Sequence, residues 1–250
     1  LFGQESGKIG AVDRTVCAGC MKCTEECFLH ALKSWGTVMT VDEVMEEVRA
    51  DRNFYRNSGG GMTVSGGEAL LQPEFVCALL EACRSEKIHT CVESCLHVSK
   101  EALGEVLPMT DLLIADLKHM DSAIHKEWTG AGNERILDNL RFAAREGVPM
   151  VLRVPVVPGV NDGEENARET ARFIAKELCG RVAQVQLLPY LKMGTEKYDS
   201  LGLAYPMGED YHPPKKEERE PWLLHLAEVM REEGVNAVSG ASTHYDLPQN

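Results

Sequence analysis

The sequence is poor in positive charge. Its 250 residues include 26 Lys and Arg against 39 Asp and Glu, which gives a formal net charge of −13. Nucleic-acid binding depends on clustered Lys and Arg that neutralise phosphates and release counterions, so this balance argues against a nucleic-acid partner. It favours a protein or a small molecule as the partner.

Long apolar segments are also missing. No run approaches the roughly 20 residues that a membrane-spanning helix needs, and no signal peptide opens the chain. We therefore expect a cytoplasmic protein with no membrane partner. Apolar residues still make up 44% of the sequence, which is enough for the core of one large α/β domain. No repeat, low-complexity tract or linker divides residues 40–250.

Short apolar or β-branched runs alternate with helical patterns from about residue 40 onward. Such alternation is typical of a parallel sheet covered by helices. An open doubly wound sheet and a full or partial barrel both fit this alternation.

Residues 1–39 differ from the rest of the chain, since they are cysteine-rich and weakly periodic, like a small cluster-binding insert. The predicted strands are 62–64, 89–93, 111–116, 150–157, 182–188 and 235–240, and the predicted helices are 40–51, 73–86, 99–107, 133–147, 165–178 and 218–234.

Polar groups follow five consecutive predicted strands. In parallel α/β folds the chemistry gathers where strands end. Lys118 and Arg153 can bind a carboxylate, whereas Glu68, Glu93 and Asp116 can bind an ammonium ion or another cation. Each carboxylate alone could be a helix cap or a solvated turn, and nearby glycines could merely build turns. Their coincidence at one edge predicts a pocket for an amino acid head group. The residues at this edge are Ser65, Gly66, Gly67, Glu68, Glu93, Ser94, Asp116, Lys118, Arg153, Pro189 and Tyr190.

One cysteine run has a recognisable spacing. Cys17, Cys20, Cys23 and Cys27 follow the pattern C-x2-C-x2-C-x3-C, which is that of bacterial ferredoxins. The pattern predicts a [4Fe–4S] cluster rather than zinc, whose C-x2-C pairs are usually separated by longer spacers. Only one such run is present, so either Cys27 completes one cluster or a further run lies upstream of Leu1.

The other five cysteines and the eight histidines show no ligand spacing such as H-E-x-x-H. Cys77, Cys83 and Cys179 occupy helical segments and are predicted to be buried small hydrophobes. Core packing is also favoured for Cys91, whereas the role of Cys95 is open. Most histidines are predicted to lie at the surface or at helix caps.

Six stretches, taken in order, carry a family resemblance. They are YRNSGGGMTVSGGEALLQPEF, IHTCVES, TDLLIADLKHMDSAIHKEWTG, LRVPVVPGVND, LLPYLKMGTEKY and PPKKEE, and with the cysteine run they cover residues 13 to about 217. This set resembles the glycyl-radical-enzyme activating enzymes of the radical S-adenosylmethionine (SAM) superfamily. Pyruvate formate-lyase activase is a familiar relative, and the ferredoxin-bearing branch is the nearest type.

The resemblance implies a fold, cofactors and partners. The fold is a partial parallel barrel, and the cofactors are [4Fe–4S] clusters, SAM and a monovalent cation. The reaction is reductive cleavage of SAM, whose 5′-deoxyadenosyl radical takes a hydrogen atom from a glycine of a glycyl radical enzyme. A one-electron donor such as flavodoxin or ferredoxin is implied as a second partner.

The resemblance also implies roles for single residues. Gly66, Gly67 and Glu68 match a G-G-E element that holds the SAM amino group. Asp116 and Lys118 match a D-x-K element near the SAM carboxylate. Glu93 and Ser94, with Asp116, match a site for the monovalent cation. Arg153 matches an arginine that lines the SAM pocket. The cysteine run matches the ligands of an auxiliary cluster, which are Cys17, Cys20, Cys23 and Cys27.

The sequence departs from the family pattern in two ways. No three cysteines have the C-x3-C-x2-C spacing of the SAM-chelating cluster, so the catalytic residues are unknown and these 250 residues by themselves are expected not to cleave SAM. An N-terminal truncation would explain that absence, with residues 1–39 as a partial ferredoxin-like insert and residues 40–250 as a barrel without its cluster loop. Leu96 and Leu191 stand where relatives usually have glycine and histidine, and Phe28 stands where the ferredoxin cysteine run usually has proline.

Two other functions stay open from the residues alone. A barrel lyase could use Lys118 as a Schiff-base amine, and borohydride trapping of a carbonyl substrate would reveal it. An iron–sulfur electron-transfer protein would need only the cysteine run, and it would leave the charged strand ends unexplained.

Overall fold

The computed structural model describes residues 2–5 and 8–241. They divide into two compact units, which we describe separately. The smaller unit is drawn from Leu1–Thr40 and Lys192–His212, and the larger unit from Val41–Leu191 and Pro213–Asn250. The sequence did not predict that residues 192–212 join the N-terminal segment. The assignment of residues 1–39 to an iron–sulfur insert stays a prediction.

The helices and strands have the following bounds. The strands are β1 (Phe2–Glu5), β2 (Lys8–Val12), β3 (Gly61–Val64), β4 (His89–Ser94), β5 (Leu112–Asp116), β6 (Met150–Val156), β7 (Val182–Pro189) and β8 (Ala237–Ser239). The α-helices are α1 (Lys22–Glu25), α2 (Val41–Ala50), α3 (Arg52–Ser58), α4 (Pro73–Ser85), α5 (Lys100–Val106), α6 (Ser122–Thr129), α7 (Glu134–Arg145), α8 (Glu164–Glu177), α9 (Thr195–Leu201) and α10 (Lys216–Glu232). Short 3-10 helices cover Ala69–Leu71 and Leu107–Met109.

The smaller unit contains little regular structure. It has the antiparallel hairpin β1–β2 and the short helices α1 and α9. Several of its large apolar side chains are exposed, including Phe28, Trp35 and Val38. The cysteine run spans the loop after β2, α1 and the residues that follow it.

The larger unit is built on a six-stranded parallel sheet with the order β3-β4-β5-β6-β7-β8. Strand order follows chain order, as expected when each strand is followed by a helix that returns the chain to the next strand. In the described part of the chain β3 and β8 do not pair, so the sheet stays open. This is the arrangement of a partial parallel barrel, and the predicted α/β fold is confirmed.

The two faces of the sheet bury different side chains. Successive residues of a strand point to opposite faces. Val92, Leu113 and Leu152 lie on the face that forms the main core with the helices. The other face carries a small separate apolar cluster of Cys91, Leu112 and Val151, with Ile114 packed against it. The second face is therefore not filled by a large apolar core, and charged residues near the strand ends can share it.

Local sequence explains where the helices around the site begin. Ser99 caps α5, because its side chain accepts a hydrogen bond from Ala102 N at 3.1 Å. Asp121 caps α6 in the same way, with Ala123 N at 2.8 Å and Ile124 N at 3.0 Å. Gly130 ends α6 with a φ of 86°, a conformation that favours glycine. The helix α6 was not predicted, and neither were α3, α9 and the β1–β2 hairpin.

No helix within residues 2–5 and 8–241 combines the length and the apolar character that a bilayer span requires.

Candidate functional site

Charged side chains lie where neighbouring strands of the larger unit end. Asp116 and Arg153 are register partners at the ends of β5 and β6, so their side chains share one face of the sheet. Glu93 pairs in register with Ile114, two residues before Asp116, and therefore lies on that face too. We use the term charged rim for the set Glu68, Glu93, Ser94, Asp116, Lys118 and Arg153. All six belong to the larger unit.

Glu68 joins the loop after β3 to the end of β4. Its Oε1 accepts hydrogen bonds from Leu70 N at 3.1 Å and from Ser94 Oγ at 2.8 Å, and its Oε2 accepts one from Cys95 N at 2.9 Å. A carboxylate can accept about four hydrogen bonds, so beyond these three Glu68 can accept one more, for which the Cys95 thiol and a ligand would compete. The structure thus brings Glu68 and Ser94 together, as the strand-end argument predicted.

The glycines before Glu68 leave its backbone accessible. Gly66 has a φ of +140°, which strains any residue with a side chain. At Gly66 and Gly67 no described atom lies within 4 Å of the position that a Cβ would take. A ligand can therefore approach the main chain closely at this loop.

Glu93 and Arg153 form an ion pair across the sheet. Arg153 Nη1 lies 2.8 Å from Glu93 Oε2, and the two side chains are 24% and 35% exposed. The buried Arg153 Nε has no hydrogen-bond partner among the described residues. Buried polar atoms of this kind usually have a partner, so this guanidinium has hydrogen-bonding capacity left for a ligand.

Asp116 and Lys118 form a second ion pair on the rim. Lys118 Nζ lies 3.3 Å from Asp116 Oδ2. This ion pair engages the amine that a Schiff-base lyase would use. The pair leaves both side chains partly exposed and able to meet a ligand.

Asn161 fixes the loop that carries Lys118, and the sequence reasoning missed it. Its Nδ2 donates to the backbone oxygens of Lys118 at 2.7 Å and Pro155 at 2.8 Å, and its Oδ1 accepts from Val157 N at 2.6 Å. Asn161 is buried. It therefore links the loops after β5 and β6, and only its place in the motif VPGVND could have pointed to it.

Two thiols lie beside the rim. Cys91 is buried on the same sheet face, and burial raises its pKa to about 11. The predicted packing role of Cys91 agrees with this environment. Cys95 is half-buried next to Glu68; burial is the main cause that raises its pKa, and the hydrogen bond to Glu68 acts in the same direction.

Leu96 stands at the position where the family resemblance implies glycine. Its φ is 56°, which costs a non-glycine residue about 1–2 kcal/mol. The surrounding structure holds it, because the side chain is fully buried, Leu96 N donates to Ser94 Oγ at 2.9 Å, and Leu96 O accepts from Asn139 Nδ2 at 2.9 Å. Leu191, which stands where the family resemblance implies histidine, is exposed just after β7. Tyr190 N, beside it, donates to Val156 O at 3.1 Å.

The cysteine run lies in the smaller unit. Cys17, Cys20 and Cys23 line one cavity, and the thiols of Cys17 and Cys27 each accept a backbone N–H at 3.4 Å, from Gly19 and Leu32 respectively. The hydrogen bond from Leu32 is the main cause that lowers the pKa of Cys27. No three Cys, His, Asp or Glu side chains are grouped for a metal ion in the residues that the structure describes. The donor set still suits iron, since thiolates with N–H donors are the usual cluster ligands.

The prediction that the helical cysteines are buried holds for one of the three. Cys83 is buried against Met45, whereas Cys77 is only half-buried, with its Sγ 3.4 Å from the backbone oxygen of Glu105. The prediction that Cys179 is buried is wrong, because α8 ends at Glu177 and Cys179 lies in the exposed turn that follows, with a φ of 53°.

Among the histidines described, His119 and His125 are buried, and burial lowers the pKa of His119.

Comparison with known proteins shows a consistent set of relatives. Residues 17–174 match the Radical SAM superfamily. The chain is 46% identical, over 94% of its length and 73% of the relative, to a (2S)-3-sulfopropanediol dehydratase activating enzyme of Klebsiella oxytoca. It is 43% identical, over 80% of its length and 64% of the relative, to an isethionate sulfite-lyase activating enzyme of Nitratidesulfovibrio vulgaris.

Solved structures give the same picture of the fold. A domain of pyruvate-formate lyase-activating enzyme from Bacteroides vulgatus aligns with a TM-score of 0.59 and 31% identity, over 73% of this chain and 99% of that one. Streptococcus suis SuiB bound to S-adenosylmethionine aligns with a TM-score of 0.62 at 13% identity, over 87% of this chain and 47% of that one. At that identity the second likeness concerns the fold alone.

Proposed function

The chain belongs to the glycyl-radical-enzyme activating enzymes of the radical SAM superfamily, and from that membership we propose that its charged rim binds the methionine end of SAM. Enzymes of this family cleave SAM reductively and generate a glycyl radical on a partner enzyme. The matched relatives are longer, and this chain spans about two thirds of the isethionate relative. We therefore propose the complete reaction for the protein to which these residues belong.

One observation carries the proposal: opposed charges meet at a single edge of the parallel sheet. Amino acid head groups carry an ammonium and a carboxylate, and each finds a complement there. Glu68 presents its carboxylate to the ammonium, which would take the place of the Cys95 thiol there, and the open backbone at Gly66 and Gly67 admits it. Lys118 and Arg153 supply cations for the carboxylate.

The cofactors follow from the family and from the donor atoms present. Radical SAM enzymes carry a [4Fe–4S] cluster and SAM, which when bound supply the one-electron chemistry that breaks the sulfonium bond. In this chain Cys17, Cys20, Cys23 and Cys27 would hold an auxiliary cluster, supported by the N–H donors to two of their sulfur atoms. Residues 1–39 would then be a ferredoxin-like insert, and residues 40–250 the barrel.

A monovalent cation is a further part of the proposal. Glu93 and Asp116 present carboxylates from adjacent strands on the same sheet face, and Ser94, whose hydroxyl is bonded to Glu68, follows Glu93. Hard cations are bound by oxygen ligands of these types. A cation there would compete with Arg153 and Lys118 for the two carboxylates.

The partners and the compartment are proposed with the reaction. A glycyl radical enzyme would be the substrate protein, and a flavodoxin or ferredoxin would be the electron donor. No nucleic acid or membrane partner is proposed, in keeping with the net charge of −13. The nine cysteines are all free thiols in the structure, which suits the reducing cytoplasm.

An equilibrium titration tests the rim without requiring turnover. SAM, S-adenosylhomocysteine and ATP are titrated separately into the folded chain by calorimetry. We expect saturable binding of SAM and S-adenosylhomocysteine, which share the amino acid head group, and no binding of ATP at the same concentrations. A folded chain that binds none of the three, or that binds ATP as well as SAM, would contradict the assignment of the rim.

A further inference from the structure

A second surface of the molecule has features that the charged rim does not use. A cavity of about 740 Å³ lies within the smaller unit, and Cys17, Cys20 and Cys23 form part of its wall. Much of the remaining wall is apolar and reaches solvent, since the side chains of Val16 and Trp35 are 61% and 74% exposed. Apolar side chains of this size are seldom left open without a binding role when they surround one cavity.

Cations surround the same cavity. Arg14, Lys22, Lys33 and Lys197 all line it and are all exposed. No Asp or Glu is among the described residues of the lining. None of the four cations forms an ion pair with any residue of 12–241, the range whose side chains the structure describes. The whole chain has a net charge of −13, so a surface lined by four cations is not what its overall composition would lead one to expect.

We propose that this surface is the docking site of a small acidic electron-transfer protein. We call it the cysteine face and define it by Arg14, Val16, Lys22, Lys33, Trp35 and Lys197. The inference rests on the proposed function, which requires a one-electron donor. It goes further by stating where the donor binds and which charge it carries.

The residues of the cysteine face suit the transient binding of an acidic electron-transfer protein. Electron-transfer complexes are small and short-lived, and complementary charge mainly accelerates and orients their association. The cations attract and orient an acidic donor, while the apolar wall provides contact area beside three of the four thiols. One electron leaves the reduced donor and enters the iron–sulfur group that the thiolates hold, so no proton or further reactant is needed. An anionic polynucleotide would match the cations but would leave the apolar wall unused.

Binding of two probes to the iron-loaded chain tests the proposal. Flavodoxin and a plant-type ferredoxin are titrated separately at low ionic strength. The test variant is Lys22→Gln/Lys33→Gln, and the matched control is Lys126→Gln/Lys176→Gln, which removes the same charge from exposed positions on α6 and α8. We expect at least one probe to bind the parent chain, and the test variant to weaken that binding by about tenfold while the control changes it less than about twofold. Added salt should weaken binding to the parent more steeply than binding to the test variant.

Each other outcome has a defined meaning. Iron content and circular dichroism show whether the test variant keeps its cluster and its fold. If it loses iron, Lys197→Gln on α9 replaces it, because that residue lies outside the cysteine run. Failure of both probes to bind, equal binding by test variant and parent, or an equal loss in the control would overturn the inference. A SAM titration of the same samples separates the two proposals, since docking that persists without SAM binding contradicts only the assignment of the rim.

Discussion

Ser94 Oγ donates a hydrogen bond of 2.8 Å to Glu68 Oε1, which joins the loop after β3 to the end of the neighbouring strand β4. The same carboxylate accepts from Leu70 N and Cys95 N, and the Cys95 thiol also bonds to it, so several protein donors orient it. A ligand would meet a carboxylate that is already held in place. Pre-orientation of this kind lowers the entropy cost of binding, because the side chain has no rotamers to lose.

Replacement of Glu68 by Gln should weaken SAM binding much more than it weakens the fold. The amide oxygen keeps an acceptor for Ser94 Oγ and Leu70 N, the amide nitrogen removes the acceptor of Cys95 N, and the charge that an ammonium needs is lost. Hydrogen bonds to charged groups contribute about 1.5–3 kcal/mol, so the affinity for SAM should fall by about tenfold or more. Calorimetric titration measures this loss. Glu81→Gln, on the exposed surface of α4, is the control and should bind SAM like the parent. Equal affinity of Glu68→Gln and the parent would remove Glu68 from the site.

The ion pair between Glu93 and Arg153 should show measurable coupling in a double-mutant cycle. Glu93→Gln, Arg153→Met and the double variant are compared by urea unfolding. Because both side chains are largely shielded, the coupling in the free energy of unfolding should be about 1 kcal/mol. The exposed pair Lys216–Glu220, at 3.8 Å, is the control and should give about 0.3–0.5 kcal/mol or less. Coupling no larger than the control would show that the rim pair is not shielded.

Much of the fold could be predicted from local patterns. Runs such as DLLIAD and MVLRVPVV are short and apolar, and each is followed by a helical pattern, which is sufficient to indicate a parallel sheet. Once the strands are parallel and in order, Glu93, Asp116 and Arg153 must reach the same edge. The sequence therefore predicted that these three side chains lie at one edge of the sheet, and their role in binding stays a prediction. Their proximity follows from topology rather than from any one motif.

Other features depend on contacts that no local pattern encodes. Asn161 bonds to the loop carrying Lys118 from 43 positions away, and its neighbours in sequence do not reveal that partner. Cys179 was assigned to a buried helix position, but the helix ends before it and Leu178 takes the buried place. The segment 192–212 joins the cysteine-rich unit through long-range packing, while its composition resembles that of an ordinary loop.

The burial of Cys91 should make stability depend on pH in the alkaline range. The pKa of this thiol is raised from 9.0 to about 11, so the folded state disfavours the thiolate. Below about pH 9 the thiol is protonated in both states and its stabilising contribution is fully present. As the pH rises from about 9 to about 11 only the unfolded state ionises, and the free energy of unfolding should fall by on the order of 2–3 kcal/mol.

Other groups titrate in the same range, so the test for Cys91 is a difference between variants. Unfolding by urea is measured across this window for the parent, for Cys91→Val and for Cys179→Ala, which changes an exposed thiol. Cys91→Val should lose that part of the decline in stability, whereas Cys179→Ala should keep it. Identical pH profiles for Cys91→Val and the parent would mean that Cys91 does not ionise on unfolding in this range.

Iron binding should depend on Cys27 and not on the packed thiols. The backbone N–H of Leu32 donates to Cys27 Sγ and lowers the pKa of that thiol, which favours the thiolate that binds iron. Cys27→Ala should therefore bind less iron after anaerobic reconstitution and lose most of the cluster absorption. Cys77→Ala removes a thiol whose pKa is raised, chiefly by burial, and it should keep the iron content of the parent.

Alkylation of the iron-free chain gives an independent measure of the same difference. Near neutral pH, mass spectrometry should find Cys27 modified well before Cys77 and Cys91, because the thiolate is the reactive form and both burial and a raised pKa suppress it. If Cys27 reacts first but its loss leaves the iron content unchanged, the cluster is held by other ligands. If Cys27 reacts no faster than Cys91, the hydrogen bond from Leu32 does not stabilise its thiolate in solution.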